Sequence, residues 1–311
     1  MKSSKNKTLT IDNVKKEETT LIKSIILDHG QNYTERNIIN STINGDVLKI
    51  IKRLPEHFVD LLVVDPPYNL SKKYNDAKFN KASEKEYSEW FEKWVKEIPR
   101  IMKENGSLYF CGDWSSTPLY YPILEKYFVI QNRITWERDK GRGSKTNWKN
   151  NIEDIFFCTM KPSKYTFNID QVKTKKIVIA PYRDAEGKPK DWFEENGKKY
   201  RFTAPSNIWT DITIPYWSMP ENTEHPTQKP EKLIAKLVIA SSNKDDFVLD
   251  LFCGSGTTPV VAKKLGRKYC GIEMDKGYCL LTAKRLLLAD KDKRIQGYSN
   301  GIFLGRNEKG K

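Results

Sequence analysis

Apolar residues along the chain fall into two textures. Short, mostly apolar runs at residues 58–64, 107–111, 129–136, 155–158 and 248–251 predict strands buried in a sheet. Between them apolar residues recur at helical spacing. Trp90, Phe91, Trp94, Val95 and Ile98 share one face of a helix predicted over 86–103. Further helices are predicted over 47–54, 122–128, 231–241 and 276–289, and a short strand over 268–272 ends at Glu273. Leu21, Ile22, Ile25 and Ile26 predict one short amphipathic helix in an otherwise polar arm, residues 1–36, packed on the domain or on a second subunit. Strands alternating with helices argue an α/β fold with a parallel sheet.

Three stretches break this rhythm. Residues 69–85 are polar and without periodicity, a length that suits a mobile loop over a site. Residues 160–222 interleave basic and aromatic side chains with prolines and predict an irregular inserted subdomain, some of whose aromatics form its own small core. The tail, residues 291–311, is basic and expected to be loose.

Charge and cysteine usage narrow the class. At 311 residues the chain can bury one large core with an inserted subdomain. The net charge of +14 suits a polyanionic partner. Cys111, Cys158, Cys253, Cys270 and Cys279 show no C-x-x-C pair, and the three histidines lie far apart. That pattern reads as reduced cytoplasmic thiols, without a disulfide frame or a metal site. No apolar run reaches membrane-spanning length, and no signal-peptide core opens the chain.

The strand at 58–64 ends abruptly in Asp65-Pro66-Pro67-Tyr68. Proline cannot continue a ladder and holds the preceding residue extended. The Asp65 carboxylate is therefore expected at the carboxyl end of a central strand, the edge where open α/β sheets bind ligands. A carboxylate and a rigid proline carbonyl can each accept one N–H of an exocyclic amine, turning its lone pair towards an electrophile. Tyr68 offers a face on which an extruded base can stack, a contact worth ~1–3 kcal/mol.

A second constellation lies near the other end. Residues 248–258 run from a strand through Asp250, Phe252, Gly254 and Gly256 to a helix starting near Thr257 or Pro259, with Thr258 in its first turn. Glycines let backbone approach a ligand closely. The third glycine of the dinucleotide fingerprint is replaced by Pro259. Glu273, about 20 residues on, can accept both hydroxyls of a ribose. His225-Pro226-Thr227-Gln228-Lys229-Pro230 precedes the predicted helix over 231–241. Such a turn either starts the helix or presents Thr227 and Lys229 to an amino-acid carboxylate. Asp46 fits the N-cap of the helix after it. Arg138, Lys140, Arg142, Lys145 and Lys149, beside Trp148, crowd a Gly-containing stretch at 137–149. It reads as a DNA-facing loop that follows phosphates or reaches base edges, or as a solvated charge run.

Together these residues resemble the β group of S-adenosylmethionine-dependent DNA amino methyltransferases, over roughly residues 38–290. Asp65-Pro66-Pro67-Tyr68 is similar to that family's catalytic motif, Phe252-x-Gly254-x-Gly256 to its cofactor loop, and residues 225–230 to the turn before it. The order of the motifs matches the circularly permuted group. The resemblance implies a doubly wound, mostly parallel seven-stranded α/β sheet with one antiparallel strand. It implies a catalytic half at 37–136, a recognition region at 137–222 and a cofactor half at 223–290. It also implies S-adenosylmethionine held by Phe252, Gly254, Gly256 and Glu273, with Asp46, Thr227 and Lys229 assisting and Asp250, Thr257 and Thr258 in the same loop. Duplex DNA is the implied substrate, with the base flipped out and adenine N6 favoured over cytosine N4 by the Asp in the motif. A homodimer and a paired restriction endonuclease are further partners of such enzymes. Rival classes are an RNA or protein amino methyltransferase, a nucleotide-dependent oxidoreductase and a non-catalytic DNA-binding protein.

Overall fold

The structure, a computed structural model, describes residues 6–74, 77–142, 145–179 and 182–305. Its centre is a nine-stranded sheet. In spatial order the strands are Ile25–Leu27, Ser41–Asn44, Lys268–Glu273, Phe247–Asp250, Val59–Val64, Met102–Gly112, Asn150–Thr159, Val129–Arg142 and Ile208–Trp209. Neighbours are parallel except at Asn150–Thr159, which runs against both strands beside it. The seven strands from Ser41–Asn44 to Val129–Arg142 are thus the expected sheet. Two short edge strands widen it.

The strands are apolar because helices cover both faces. Val59, Leu62 and Val64 pack towards Phe91, Trp94 and Tyr120, while Leu61 and Val63 pack towards the other layer with Leu233 and Leu237. The helix Glu231–Ser241 is buried along its whole length.

Several boundaries depart from the periodicity. The helix expected over 86–103 is Glu84–Val95, started by a Ser83/Glu86 capping box. Pro99 then opens a separate short turn, Ile98–Ile101. Asn105 and Gly106 lie inside the strand Met102–Gly112 instead of ending a helix. The next helix begins earlier than expected, at Thr117–Leu124. The polar stretch after Tyr68 contains paired strands Lys72–Tyr74 and Ala77–Phe79.

The N-terminal arm is docked. Ile11, Val14, Leu21 and Ile25 bury against Tyr278, Cys279 and Leu281 of the helix Lys276–Lys291. Ile25 and Ile26, expected on a helix, lie on a strand parallel to Ser41–Asn44, a placement that suits β-branched side chains. The arm also pairs with the stretch before His225: Leu9 donates to the Asn222 carbonyl, and Glu224 donates back to Leu9.

Within residues 137–222, the stretch 137–142 and the strand Asn150–Thr159 belong to the main sheet. A second sheet of five strands follows the order Phe193–Glu195, Lys198–Thr203, Thr174–Ile177, Ile302–Phe303, Tyr298–Ser299. The tail expected to be loose therefore supplies two of its strands. Burial of Ile295 and Phe303, and the packing of Phe303 on Tyr298 at 4.6 Å, hold its described part, up to residue 305, against the domain.

Candidate active site

Val59–Val64 and Phe247–Asp250 are neighbours in the sheet, with Leu61 opposite Val248. Their carboxyl ends therefore open side by side. A cavity of about 590 Å³ lies over them, lined from one side by Asp65, Pro66, Pro67 and Tyr68 and from the other by Asp250, Phe252, Gly254, Thr257, Thr258 and Glu273. Asp46, Thr227 and Lys229 line it too. All fourteen residues assigned to catalysis or cofactor binding, except Gly256, thus face one space. Gly256 lies in the loop beneath.

The glycine loop is built from close approaches. Gly254 has φ +51° and Gly256 φ +82°. A Cβ on Gly256 would stand 2.4 Å from Thr282 Cγ2, and one on Gly254 would stand 2.9 Å from His225 Nε2. The Gly254 N–H donates to Glu273 Oε2 at 2.9 Å, and the Asp275 N–H donates to Oε1 at 2.8 Å. Glu273 thus braces the loop and keeps lone pairs for a ligand. Asp250 accepts the Phe252 N–H at 3.0 Å. Burial pushes both carboxyls up to about 7, against the opposing pull of those donors. Phe252 is held by Trp90 and Trp94, at 6.0 and 5.1 Å between ring centroids. Asp46 caps its helix by accepting the Leu48 N–H at 2.9 Å, so the capping role holds while the residue still faces the cavity. Thr257 is tied to structure: its hydroxyl donates to the Lys229 carbonyl and accepts from Arg285.

The turn Asp65-Pro66-Pro67-Tyr68 is equally constrained. Pro66 is buried, and the Tyr87 hydroxyl donates to the Pro67 carbonyl at 2.8 Å. Tyr68 donates its hydroxyl to Asp65 Oδ1 at 2.8 Å. Lys229, expected at the cofactor's carboxylate, instead places its ammonium 2.5 Å from Asp65 Oδ2 and 3.1 Å from Glu153 Oε2. A cation this buried must be paired. Burial alone would lower the Lys229 ammonium, but Asp65 and Glu153 outweigh it and hold the group above the usual lysine range. Burial, and then the same two carboxylates, hold the Tyr68 phenol well above its usual range, so it stays a hydroxyl donor.

The sequence reading missed Glu153. It sits on the antiparallel strand, 8% exposed, and reaches Tyr68, Lys229 and Arg138. Its signal was an acid at the head of an apolar run. Arg138, expected on a DNA-facing loop, lies on a strand and turns inward: its Nη1 is 3.3 Å from Glu153 Oε1 and its Nη2 donates to the Asn150 carbonyl. The strand extends to Arg142 because the hairpin with Asn150–Thr159 continues that far. Lys145 and Lys149 are exposed beside a 93% exposed Trp148. The side chains of Lys140 and Arg142 lie outside the described residues. Among the described residues no group of three or more His, Cys, Asp or Glu could hold a metal ion, and no helix is long and apolar enough to cross a membrane.

Comparison with known proteins places this geometry. The DNA methylase family, which spans N6 and N4 enzymes, matches residues 59–284. The Type II methyltransferase M.HpaI of Haemophilus parainfluenzae is 34% identical over 252 residues, 78% of this chain and 73% of that one. The DNA adenine methyltransferase YhdJ of Escherichia coli (strain K12) is 33% identical over 259 residues, 81% and 84% of the two chains. Among solved structures, the PvuII DNA methyltransferase (cytosine-N4-specific) covers 84% of this chain and 88% of its own at 19% identity, with a TM-score of 0.59. The M1.HpyAVI-SAM complex covers 79% and 98% at 24% identity, with a TM-score of 0.53. Those two likenesses concern the fold, a class I methyltransferase sheet. The family match and the similarity to M.HpaI and YhdJ over most of both chains go further: the chain belongs to the DNA methylase family, the amino methyltransferases of DNA.

Proposed function

We propose that the chain transfers a methyl group from S-adenosylmethionine to adenine N6 at a specific site in duplex DNA. The observation that carries this is the shared cavity, with Asp65 on one wall and the glycine loop with Glu273 on the other. Its volume of about 590 Å³ is of the size that small-ligand sites have. Loop glycines that leave no room for a Cβ, a carboxylate braced behind them and the aromatic Phe252 fit a nucleoside cofactor. Glu273 would take the ribose hydroxyls, Asp46 would help hold the adenine, and Phe252 and Thr227 would assist. When bound, S-adenosylmethionine supplies a methyl group activated by a sulfonium.

The chain's own residues do the rest. Asp65 and the Pro66 carbonyl accept hydrogen bonds from the two amino N–H groups of a flipped base, whose extrusion costs a few kcal/mol, and the proton that the methylated nitrogen must lose leaves to solvent. Tyr68 stacks on it. Holding the nitrogen in line with the methyl group is the main lever, since near-attack positioning can supply ~7–11 kcal/mol. Similarity to YhdJ, named as an adenine enzyme, supports N6. The fold likeness to a cytosine-N4-specific enzyme keeps N4 as the second reading. Kinship with Type II methyltransferases supports a host-protecting role beside a restriction endonuclease, in the cytoplasm. Lys145, Lys149 and Trp148 are the exposed candidates for DNA contact; a homodimer is a further proposal.

The test is nucleoside mass spectrometry on DNA incubated with the protein and labelled S-adenosylmethionine. N6-methyladenine is expected, and N4-methylcytosine would overturn the base assignment. Asp65→Ala should abolish transfer while cofactor and DNA still bind. Transfer at near wild-type rate by that variant would overturn the mechanism.

A further inference from the structure

The carboxylate of Asp65 is engaged on both oxygens before any base arrives. Tyr68 donates to Oδ1 at 2.8 Å, and the Lys229 ammonium sits 2.5 Å from Oδ2. Each oxygen keeps a second lone pair for an entering amine, but the ammonium and the phenol already draw on the carboxylate's charge and weaken it as an acceptor. Both donors have a second acceptor in reach. Glu153 Oε2 lies 3.2 Å from the Tyr68 hydroxyl and 3.1 Å from Lys229 Nζ. A phenol carries one hydrogen, so Tyr68 gives it to one carboxylate at a time. Lys229 has three donors and lies between the two acids.

We propose that Glu153 is a positioning residue of the methyl transfer. It takes the Tyr68 hydroxyl hydrogen and the larger share of the Lys229 ammonium as the target amine enters, which leaves Asp65 the stronger acceptor for the amine's N–H. This rests on the reading of Asp65 as the amine's acceptor.

The surroundings suit such an exchange. Glu153 is fixed by the ladder, opposite Trp136, and is nearly buried, so its carboxylate cannot retreat into water. Arg138, two residues along from Trp136, holds Oε1 and leaves Oε2 towards Tyr68 and Lys229. The Arg138 Nε–H is buried and meets no acceptor among the described residues, so this side chain is positioned by its two Nη groups alone. Two acids and two bases make the cluster neutral as a whole. An uncharged amine leaves that balance intact, and the exchange costs no net charge burial.

The experiment measures kcat, KM for DNA and cofactor affinity for Glu153→Gln and Glu153→Asp, with Asp65→Ala alongside. Glutamine fits the space and lacks the charge that draws Lys229 away. Glu153→Gln should lower kcat about 10- to 100-fold, as loss of a hydrogen bond to a charged group does. Cofactor affinity should stay at the wild-type value, while the melting temperature should fall, because Lys229 and Arg138 lose a buried carboxylate. Glu153→Asp should recover part of the rate. In a Lys229→Gln background the Glu153→Gln change should cost clearly less, because the ammonium it draws off is gone. Wild-type kcat for Glu153→Gln, or a loss matched by equal loss of cofactor binding, overturns the proposal. If Asp65→Ala still methylates, the reading of Asp65 fails and takes this one with it. If Asp65→Ala is inactive and Glu153→Gln is unaffected, only the role of Glu153 falls.

Discussion

Gly256→Ala and Gly266→Ala form a matched pair. Both glycines have left-handed backbone, φ +82° and +74°. An alanine at either pays the left-handed strain of ~1–2 kcal/mol. Both substitutions also stiffen the unfolded chain, which offsets ~0.4–1 kcal/mol in each and cancels in the comparison. The difference lies in what the new methyl meets. At Gly266 the nearest atom is Lys244 Cγ at 3.6 Å, an ordinary contact with a flexible side chain. At Gly256 it meets Thr282 Cγ2 at 2.4 Å, Oγ1 at 2.6 Å and Cβ at 2.8 Å. Thr282 is fully buried, and its hydroxyl donates to the Gly254 carbonyl. It cannot turn away without releasing the loop. Overpacking of this kind costs about 1–3 kcal/mol beyond the strain. Urea denaturation should therefore rank Gly256→Ala below Gly266→Ala by that amount. Titration calorimetry should show cofactor binding weakened in the first variant and intact in the second. Equal stabilities, or equal cofactor affinities, would refute the claim that the Gly256–Thr282 approach shapes the loop.

Further outcomes follow from the buried carboxyls and the second sheet. Glu273 and Asp250 are pushed up to about 7 by burial, and ribose hydroxyls donating to Glu273 favour its ionised form. Cofactor affinity should be greatest above that pH and fall as pH drops through it, by at most about tenfold per pH unit for each proton. Glu273→Gln should flatten the profile measured by calorimetry. Stability of the ligand-free protein should run the other way. Both carboxyls hold protons more tightly folded than unfolded, so their contribution is full below the ordinary values of 3.8 and 4.5 and is lost as pH rises to about 7. Melting curves across that window check the sign. Phe303→Ala should cost about 3–5 kcal/mol of local stability. Hydrogen exchange should rise at Thr174–Ile177 while cofactor affinity stays unchanged.

The α/β sheet and the two walls of the cavity were legible because each rests on local pattern. A buried run ending in Asp65-Pro66-Pro67 places a carboxylate at a sheet edge whatever else the chain does. Gly254 and Gly256 announce close approach through the absence of side chains. Contacts across the sheet were not legible. Nothing local tells that Lys229 meets Asp65 or that Glu153 joins them, since that depends on which strand lies beside which. Arg138 looked like a surface cation because its partner comes from the neighbouring strand. Ile25 and Ile26 fitted helical spacing, yet an open edge beside Ser41–Asn44 took them as a strand. Tertiary pairing overrode short-range period there.

Because Phe303 pairs with Thr174, the second sheet is a promise kept late. Its middle strand leaves the ribosome early, but the neighbour that seals one flank emerges last. At ~5–20 residues per second, roughly 100 residues of translation separate Thr203 from Ile302, a wait of roughly 5–20 s. Over that interval the flank at Thr174 lacks its late partner and stands open to whatever strand or chaperone reaches it first.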